Sequence, residues 1–491
     1  MTSPAQNDGK LPFFHVVGFS GHRVLSDTAG AAQAITAVLE ELRREAPGEW
    51  IAQSSVAAGS DQLFVHSAFA AGMGWEALLP LPLIDFERDF TAEEWQGVKA
   101  LLDRAEHVAV VPEPGTRDEA YLSGGFEIVN NCDVLLVVWD GQPARGKGGT
   151  ADVVSYARAM QRPLLIINPE TKAVRREFFE KLRLNDDNLR DLNALPEIAP
   201  TASSLDARIR VAAFQQKVDQ AATQHAPQFR RLIAITVWLM VGVTALAGVR
   251  AYGWQGAEWP WGNLFLLLGA FGITLFLRYH RTQQHWTRCR LAAEITRSAL
   301  AIWGLPRATR LFADFDWPGL EPLRRALDVL HRRAARGSPP DFDTFKQNYL
   351  HNRIDNQLAY FAEQETLARP KLIRLRAGYI ASIVAAIILT ALSAWHAAPV
   401  FARLSPGIQQ LLFGYLPIVL PFMAATFFAL ISINDLHRRV ARCRVMAIRL
   451  ELARREIAYS QTWAGLERAI VKAERALIEE VLEWHSITSF A

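Results

Sequence analysis

Cysteine is scarce and scattered. The three that occur, Cys132, Cys289 and Cys443, are too widely spaced for a disulfide framework or a metal site, which fits a reducing cytoplasm. Charge of one sign is also missing. A net charge of +3 does not argue for nucleic acid, and Lys and Arg cluster beside apolar runs instead of along one stripe. The opening MTSPAQNDGK has no apolar core of a leader, so no signal peptide is expected. No Asp, Glu, Lys or Arg interrupts any of four long apolar blocks in the second half. That absence argues against a proton relay or an ion-coupled transporter.

What is present divides in two. Residues 13 to 169 alternate strand-like and helix-like segments, the pattern of an α/β fold with a mostly parallel, Rossmann-like sheet. Phe14 to Phe19, Trp50 to Ser54, Ala77 to Leu81, Val108 to Val111, Val134 to Trp139 and Leu164 to Asn168 read as strands. In such sheets ligands sit beyond the carboxyl ends of the strands. Three turns fall there: Ser20-Gly21-His22-Arg23, Gly59-Ser60-Asp61, and the glycine-rich stretch Asp140 to Thr150.

The third turn links a buried strand to the helix Ala151 to Ala159, and a helix N-terminus favours anions. Gly146, Gly148 and Gly149 allow a backbone to approach a phosphate. Trp139 is either core or a stacking surface for a base, and Asp140 and Gly141 either form the turn or face a ligand. Asp61 sits in the first turn of its helix or accepts from a ribose hydroxyl. Arg23 is placed for bidentate phosphate contact beside His22. Ser20, Gly21, His22, Arg23, Gly59, Ser60, Asp61, Trp139, Asp140, Gly141, Gly148, Gly149, Thr150 and Asp152 are the expected ligand-binding residues; no catalytic residue or metal ligand is expected.

GFSGHR, AAGSD, LPLPLIDFERDF and CDVLLVVWDG…GGTADVVSYA together resemble the SLOG superfamily, which includes nucleotide-binding sensors and the Lonely-guy nucleotide phosphoribohydrolases. The hydrolase branch carries a glutamate three positions after the threonine of GGT, where this chain has Val153, with Asp152 one residue earlier. One residue turns a helical side chain by about 100°. The resemblance therefore implies binding of a nucleotide-derived ligand, a cyclic nucleotide or ADP-ribose derivative made by a separate synthase. A hydrolase using Asp152, Asp140 or Glu127 is the alternative from the enzyme class, and a tethered sensor with a separate effector is a third reading.

The second half reads as an all-α membrane domain with four transmembrane helices: Leu232 to Val249, Pro260 to Leu277, Ala377 to Trp395 and Leu411 to Ile433. Trp254, Trp259 and Trp261 crowd the first connection as an aromatic belt does. Pro417 and Pro421 predict a kink in the fourth run. Arg230, Arg231, Arg278, Arg281, Arg288, Arg290, Lys371, Arg374, Arg376, Arg438, Arg439, Arg442 and Arg444 flank the runs on one side, against Arg250 and Arg403 on the other. The bias predicts a multi-pass protein with both termini and residues 278 to 376 cytoplasmic.

The segments Arg288-Cys289-Arg290-Leu291 and Arg442-Cys443-Arg444-Val445 follow the two pairs, each within a long helix and each followed by a Glu and an Arg. This duplication resembles the SLATT family of two-span modules that accompany SLOG or nucleotide-producing partners in bacterial conflict systems. It implies an inner-membrane effector of antiphage defence acting on the lipid bilayer, and the absence of a polar pathway within any single span predicts a homo-oligomer. The expected domains are 1–170, the ligand-binding sheet; 171–226, a helical linker; 227–305, the first pair; 306–369, a helical connector; and 370–491, the second pair and C-terminal helices.

Overall fold

A computed structural model describes residues 9–111, 115–143, 148–182, 187–196, 206–251, 259–279, 282–305, 319–334, 340–394 and 404–489. Gly146, Trp254, Arg281, Trp395 and Arg403 lie outside them. The chain forms two compact units, Met1–Phe214 with Phe312–Ser338, and Gln215–Leu311 with Pro339–Ala491.

The first unit is built on a seven-stranded sheet. Its elements are β1 (Phe14–Gly21), α1 (Thr28–Glu45), β2 (Glu49–Ser54), α2 (Ser60–Ala70), β3 (Gly74–Leu79), α3 (Leu83–Phe86), α4 (Ala92–Arg104), β4 (His107–Val110), α5 (Arg117–Asn131), β5 (Val134–Val138), α6 (Thr150–Ala159), β6 (Leu164–Ile167), β7 (Val174–Glu177) and α7 (Asp187–Asn193). The strand order is β4-β3-β2-β1-β5-β6-β7. All pairs are parallel except β6 with β7. The order reverses direction between β1 and β5, the switch point at which open α/β sheets form their crevice.

The central strands are mostly apolar, as burial on both faces requires, with His15, Gln53 and Glu76 among the buried exceptions. All of VLLVV in β5 is buried. On one face Val17, Phe19, Leu136 and Val138 pack against α1, α2 and α4 through Leu39, Phe64 and Val98. On the other, Gly18 leaves room for Ile128 and Cys132 at the end of α5. β7 lies in a stretch whose composition reads as charged helix. Its sequence, VRRE, is largely exposed at the sheet edge, and an edge strand of charged residues carries no apolar alternation to read.

Across the beginnings of the central strands lies a helix distant in sequence, α11 (Glu321–Ala334). Arg325 pairs with Asp133 at the start of β5. Arg332 forks onto Glu76 of β3 at 3.0 and 3.2 Å, and Arg333 reaches Glu49 at 2.7 Å and Glu106 at 2.8 Å. Glu76 is 4 % exposed and Glu49 51 %, so the two arginines are not equivalent. Arg332→Ala strands a buried carboxylate and costs about 3 kcal/mol. Arg333→Ala gives up wetter pairs, worth about 1 kcal/mol. Amide hydrogen exchange in α11 of the full chain checks that ranking; equal effects contradict it.

In the second unit the helices are α8 (Ala207–Ala251, whose first turns belong to the sheet unit), α9 (Trp259–Tyr279), α10 (Thr282–Ala301), α12 (Phe342–Tyr349), α13 (Asn356–Ala394), α14 (Pro406–Gln409), α15 (Leu416–Ile433), α16 (Leu436–Tyr459) and α17 (Trp463–Ser489). Among the described residues three helices are long and apolar enough to cross a membrane, with mean hydropathies of 2.3, 1.9 and 2.2; the run Trp261–Leu277 is a shorter apolar helix. Each lead-in is continuous with its apolar run: α13 passes through Pro370 without a break. Before α15 the backbone makes a π-type turn over Gln410–Tyr415, so irregular geometry precedes Pro417 and Pro421. Tyr415 donates to the Ala245 carbonyl at 3.2 Å and Trp238 meets Phe427 edge-on, which joins α8 to this region.

Candidate functional site

The expected turns do meet, and His22 is where they meet. Its N–H donates to the Val138 carbonyl at 3.3 Å, across the β1–β5 switch point. Its carbonyl accepts from the Ser60 N–H at 3.1 Å and the Ser60 hydroxyl at 2.8 Å, which brings in the β2–α2 turn. Its Nε2 stands 3.1 Å from the Asp140 N–H and 3.2 Å from Asp140 Oδ1. One ring nitrogen serves only one of these at a time. A neutral ring with its proton on Nδ1 accepts from the Asp140 backbone, and a proton on Nε2 donates to the carboxylate.

Glycine is required at the second turn. Gly59 has φ +91°, and a Cβ there would lie 2.1 Å from the Arg23 carbonyl oxygen. Ser60 behind it is fully buried, and Ser20 and Gly21 at the end of β1 are half-buried. Val56 in the same turn has φ +53°, a strained setting for a β-branched residue, and its N–H is held by Ser54 Oγ at 3.1 Å.

Asp61 has the structural role of the two left open. Its Oδ2 accepts from Ser54 Oγ at 3.0 Å, Ser55 Oγ at 2.8 Å and the Ala57 N–H at 3.4 Å, so it closes its own turn. Burial pushes its carboxyl from 3.8 up to about 6, against those hydrogen bonds and the nearby Arg23. The folded state therefore holds the proton more tightly than the unfolded chain. This group's contribution to stability is fullest below about pH 4 and declines as pH rises to about 6, by about 3 kcal/mol. Asp61→Asn removes that slope. Exchange of the α2 amides from pH 4 to 7 checks it; an unchanged slope in the variant contradicts it.

The third turn packs on α5. Gly148 has φ +82°, and a Cβ on it would lie 2.8 Å from the Leu122 nitrogen and 3.0 Å from Tyr121 Cβ. Its N–H donates to Asp152 Oδ2 at 3.0 Å, and Gly149 caps α6 without a side chain. Asp152 is thus engaged in holding the loop at the helix start. Thr150 begins α6, and its hydroxyl makes no hydrogen bond among the described residues. The Arg23 guanidinium lies 5.2 Å from the centre of the Tyr121 ring, a cation–π distance. Tyr121 therefore adjoins both Arg23 and Gly148, and this joins the first turn to the α6 N-terminus. Its phenol bonds Asp89, and burial raises its pKa.

The remaining residues serve the turn itself. Trp139 donates from Nε1 to the Gln142 carbonyl at 2.9 Å and takes the Arg158 guanidinium at 5.4 Å over its ring. Asp140 Oδ1 accepts from the Gln142 N–H at 2.9 Å, and that bond, with His22, keeps its carboxyl below the usual range. Gly141 has φ +86° with open space around it. Glu127 accepts from Asn131 Nδ2 at 2.8 Å on α5. Sequence reasoning missed Tyr121; the only local signal is the Gly124-Gly125 pair that follows, where Gly125 meets Val153 of α6 closely.

No protein-family model matches the chain, and no curated protein matches it significantly. The SLOG and SLATT likenesses therefore rest on the motifs quoted above.

Proposed function

We propose that the chain is a membrane effector controlled by a nucleotide-derived anion. The observation that carries this reading is the joining of three turns through His22 at the switch point, with Arg23 over the ring of Tyr121, whose Cβ lies against Gly148. Arg23, the Thr150 hydroxyl and the N–H groups at the head of α6 form a donor set for phosphate. The apolar helices in the same chain supply the output. α9 exposes Phe265, Leu268 and Phe271, which supports counting it as a fourth crossing and placing both termini in the cytoplasm.

In this reading a cyclic nucleotide or ADP-ribose derivative binds the sheet unit more tightly in the open or assembled state, and shifts the spans toward it. The SLOG and SLATT resemblances support a bacterial antiphage role, with oligomerisation and permeabilisation of the inner membrane. Hydrolysis is the weaker reading because Asp152, Asp140 and Glu127 each accept a hydrogen bond that holds local structure.

The test is equilibrium binding of a panel of cyclic nucleotides and ADP-ribose derivatives to the full chain in detergent. A charge-assisted contact is worth about 1.5–3 kcal/mol, so Arg23→Ala weakens the bound ligand about 10- to 100-fold. Binding unaffected by Arg23→Ala and Thr150→Ala moves the site elsewhere, and release of free base identifies a hydrolase.

A further inference from the structure

We propose that a pocket in the helical unit, lined by Arg290, Arg439 and Arg442, binds a phosphate-bearing anion. The pocket lies among α10, α13, α16 and α17, close to where α15 ends at Asn434 and α16 begins. Its volume of about 80 Å³ exceeds several-fold the 10–15 Å³ that one water needs, enough for a tetrahedral oxyanion. Nothing in this argument depends on the sheet site.

The lining carries more donors than acceptors. Three guanidiniums bring five N–H donors each. Facing them are the carboxylates Asp435 and Glu480, the amides of Gln364 and Asn434 and the Tyr360 phenol, and Arg290 also interacts with Tyr360 and Glu294. Arg439 donates to Gln364 Oε1, and Arg442 Nη2 donates to Asp435 Oδ2 at 2.8 Å. Arg442 Nη1 is shut off from solvent and has no hydrogen bond among the described residues; Glu480 Oε1, at 3.8 Å, is too far. Burial pushes the Glu480 carboxyl upward, against the pull of Arg290 and Arg442. A buried donor without an acceptor is costly, and a phosphate oxygen removes that cost. Guanidinium forks match phosphate geometry where a point charge does not.

The backbone holds the cluster in place. Asp435 stands at φ +48° in the break between α15 and α16, which sets the direction of α16 and of Arg439 and Arg442 on it. Gln364 precedes the apolar run beginning at Ala377 by about 20 Å of helix, whereas Asn434 and Asp435 directly follow the run ending at Ile433. A free phosphate ester and a lipid phosphate share the chemistry this pocket recognises, and the two arms below distinguish them.

The experiment is arginine labelling of the full chain with phenylglyoxal, mapped by mass spectrometry. One arm uses neutral detergent with and without inorganic phosphate, and the other compares vesicles of phosphatidylcholine with vesicles containing phosphatidylglycerol. Phosphate about tenfold above its dissociation constant slows labelling of Arg290, Arg439 and Arg442 about tenfold, since only the empty site reacts. Arg455, 73 % exposed on α16, labels as before. In Arg439→Gln, phosphate no longer slows labelling of Arg290 and Arg442. Absence of protection by both phosphate and phosphatidylglycerol overturns the site; protection by phosphate in detergent assigns a free ester, and protection by phosphatidylglycerol alone assigns a lipid headgroup.

Discussion

Gly59→Ala destroys the candidate site while its neighbour Gly141→Ala leaves it standing. At position 59 the added methyl lies 2.1 Å from the Arg23 carbonyl oxygen, 2.5 Å from its carbon and 2.7 Å from its Cα. These are backbone atoms, so no side chain can rotate out of the way. The φ of +91° adds strain that glycine does not have. Backbone strain of about 1–3 kcal/mol and overpacking of about 1–3 kcal/mol combine to about 2–6 kcal/mol. To escape, the β2–α2 turn must move off Arg23, and the Ser60 hydrogen bonds to His22 go with it. Gly141 has φ +86° but nothing within 4 Å, so alanine there costs about 1–2 kcal/mol and breaks no contact. Limited proteolysis between β1 and α2, with ligand binding as the second readout, separates the two. Equal effects contradict the role given to His22 and Ser60.

Arg353→Ala unfolds the helical unit at much lower denaturant than the parent chain. Arg353 is 5 % exposed and Glu474 fully buried, joined by bonds of 2.8 and 2.7 Å. Tyr349 donates to the same carboxylate at 2.8 Å and Ser298 at 2.7 Å. Three segments of chain, α10, the π-type turn Leu350–Asp355 and α17, are fastened by one buried carboxylate. Removal of the arginine leaves that charge unpaired and costs about 3–5 kcal/mol. The double change Arg353→Met with Glu474→Leu recovers part of the loss: it removes both charges and keeps the volume, but takes the acceptor from the Tyr349 and Ser298 hydroxyls. Denaturant unfolding in detergent, followed by the helical signal, checks both. A double variant no better than the single one contradicts the account.

The sheet was legible because its strands are apolar on both faces and end in glycine-rich turns. Phe14 to Phe19 and Val134 to Trp139 announce themselves by β-branched and aromatic runs. The meeting of the turns followed from the rule that crevices form at carboxyl ends. What the turns do to each other was not legible, since the His22 contacts to Val138, Ser60 and Asp140 depend on register. Asp61 was ambiguous for the same reason: a carboxylate in a first helical turn looks alike whether it caps its own loop or faces a ligand. Tyr121 was hidden because α5 reaches the site through packing, and nothing in its own sequence marks a stacking partner for Arg23. α11 was hidden more deeply. Its arginines read as a charged helix, and their acidic partners Glu49, Glu76, Glu106 and Asp133 lie some 200 or more residues earlier. The apolar helices were plain from composition, whereas the left-handed break at Asp435 left no sequence signal.

Leakage from proteoliposomes tests the central claim most directly. The full chain is reconstituted alone, loaded with dye, and exposed in turn to cyclic nucleotides and ADP-ribose derivatives, beside an Arg23→Ala/Thr150→Ala variant. The account predicts release of dye with one class of ligand and none in the double variant. Tight binding of a ligand with intact vesicles would contradict it, and would leave the apolar helices as a tether.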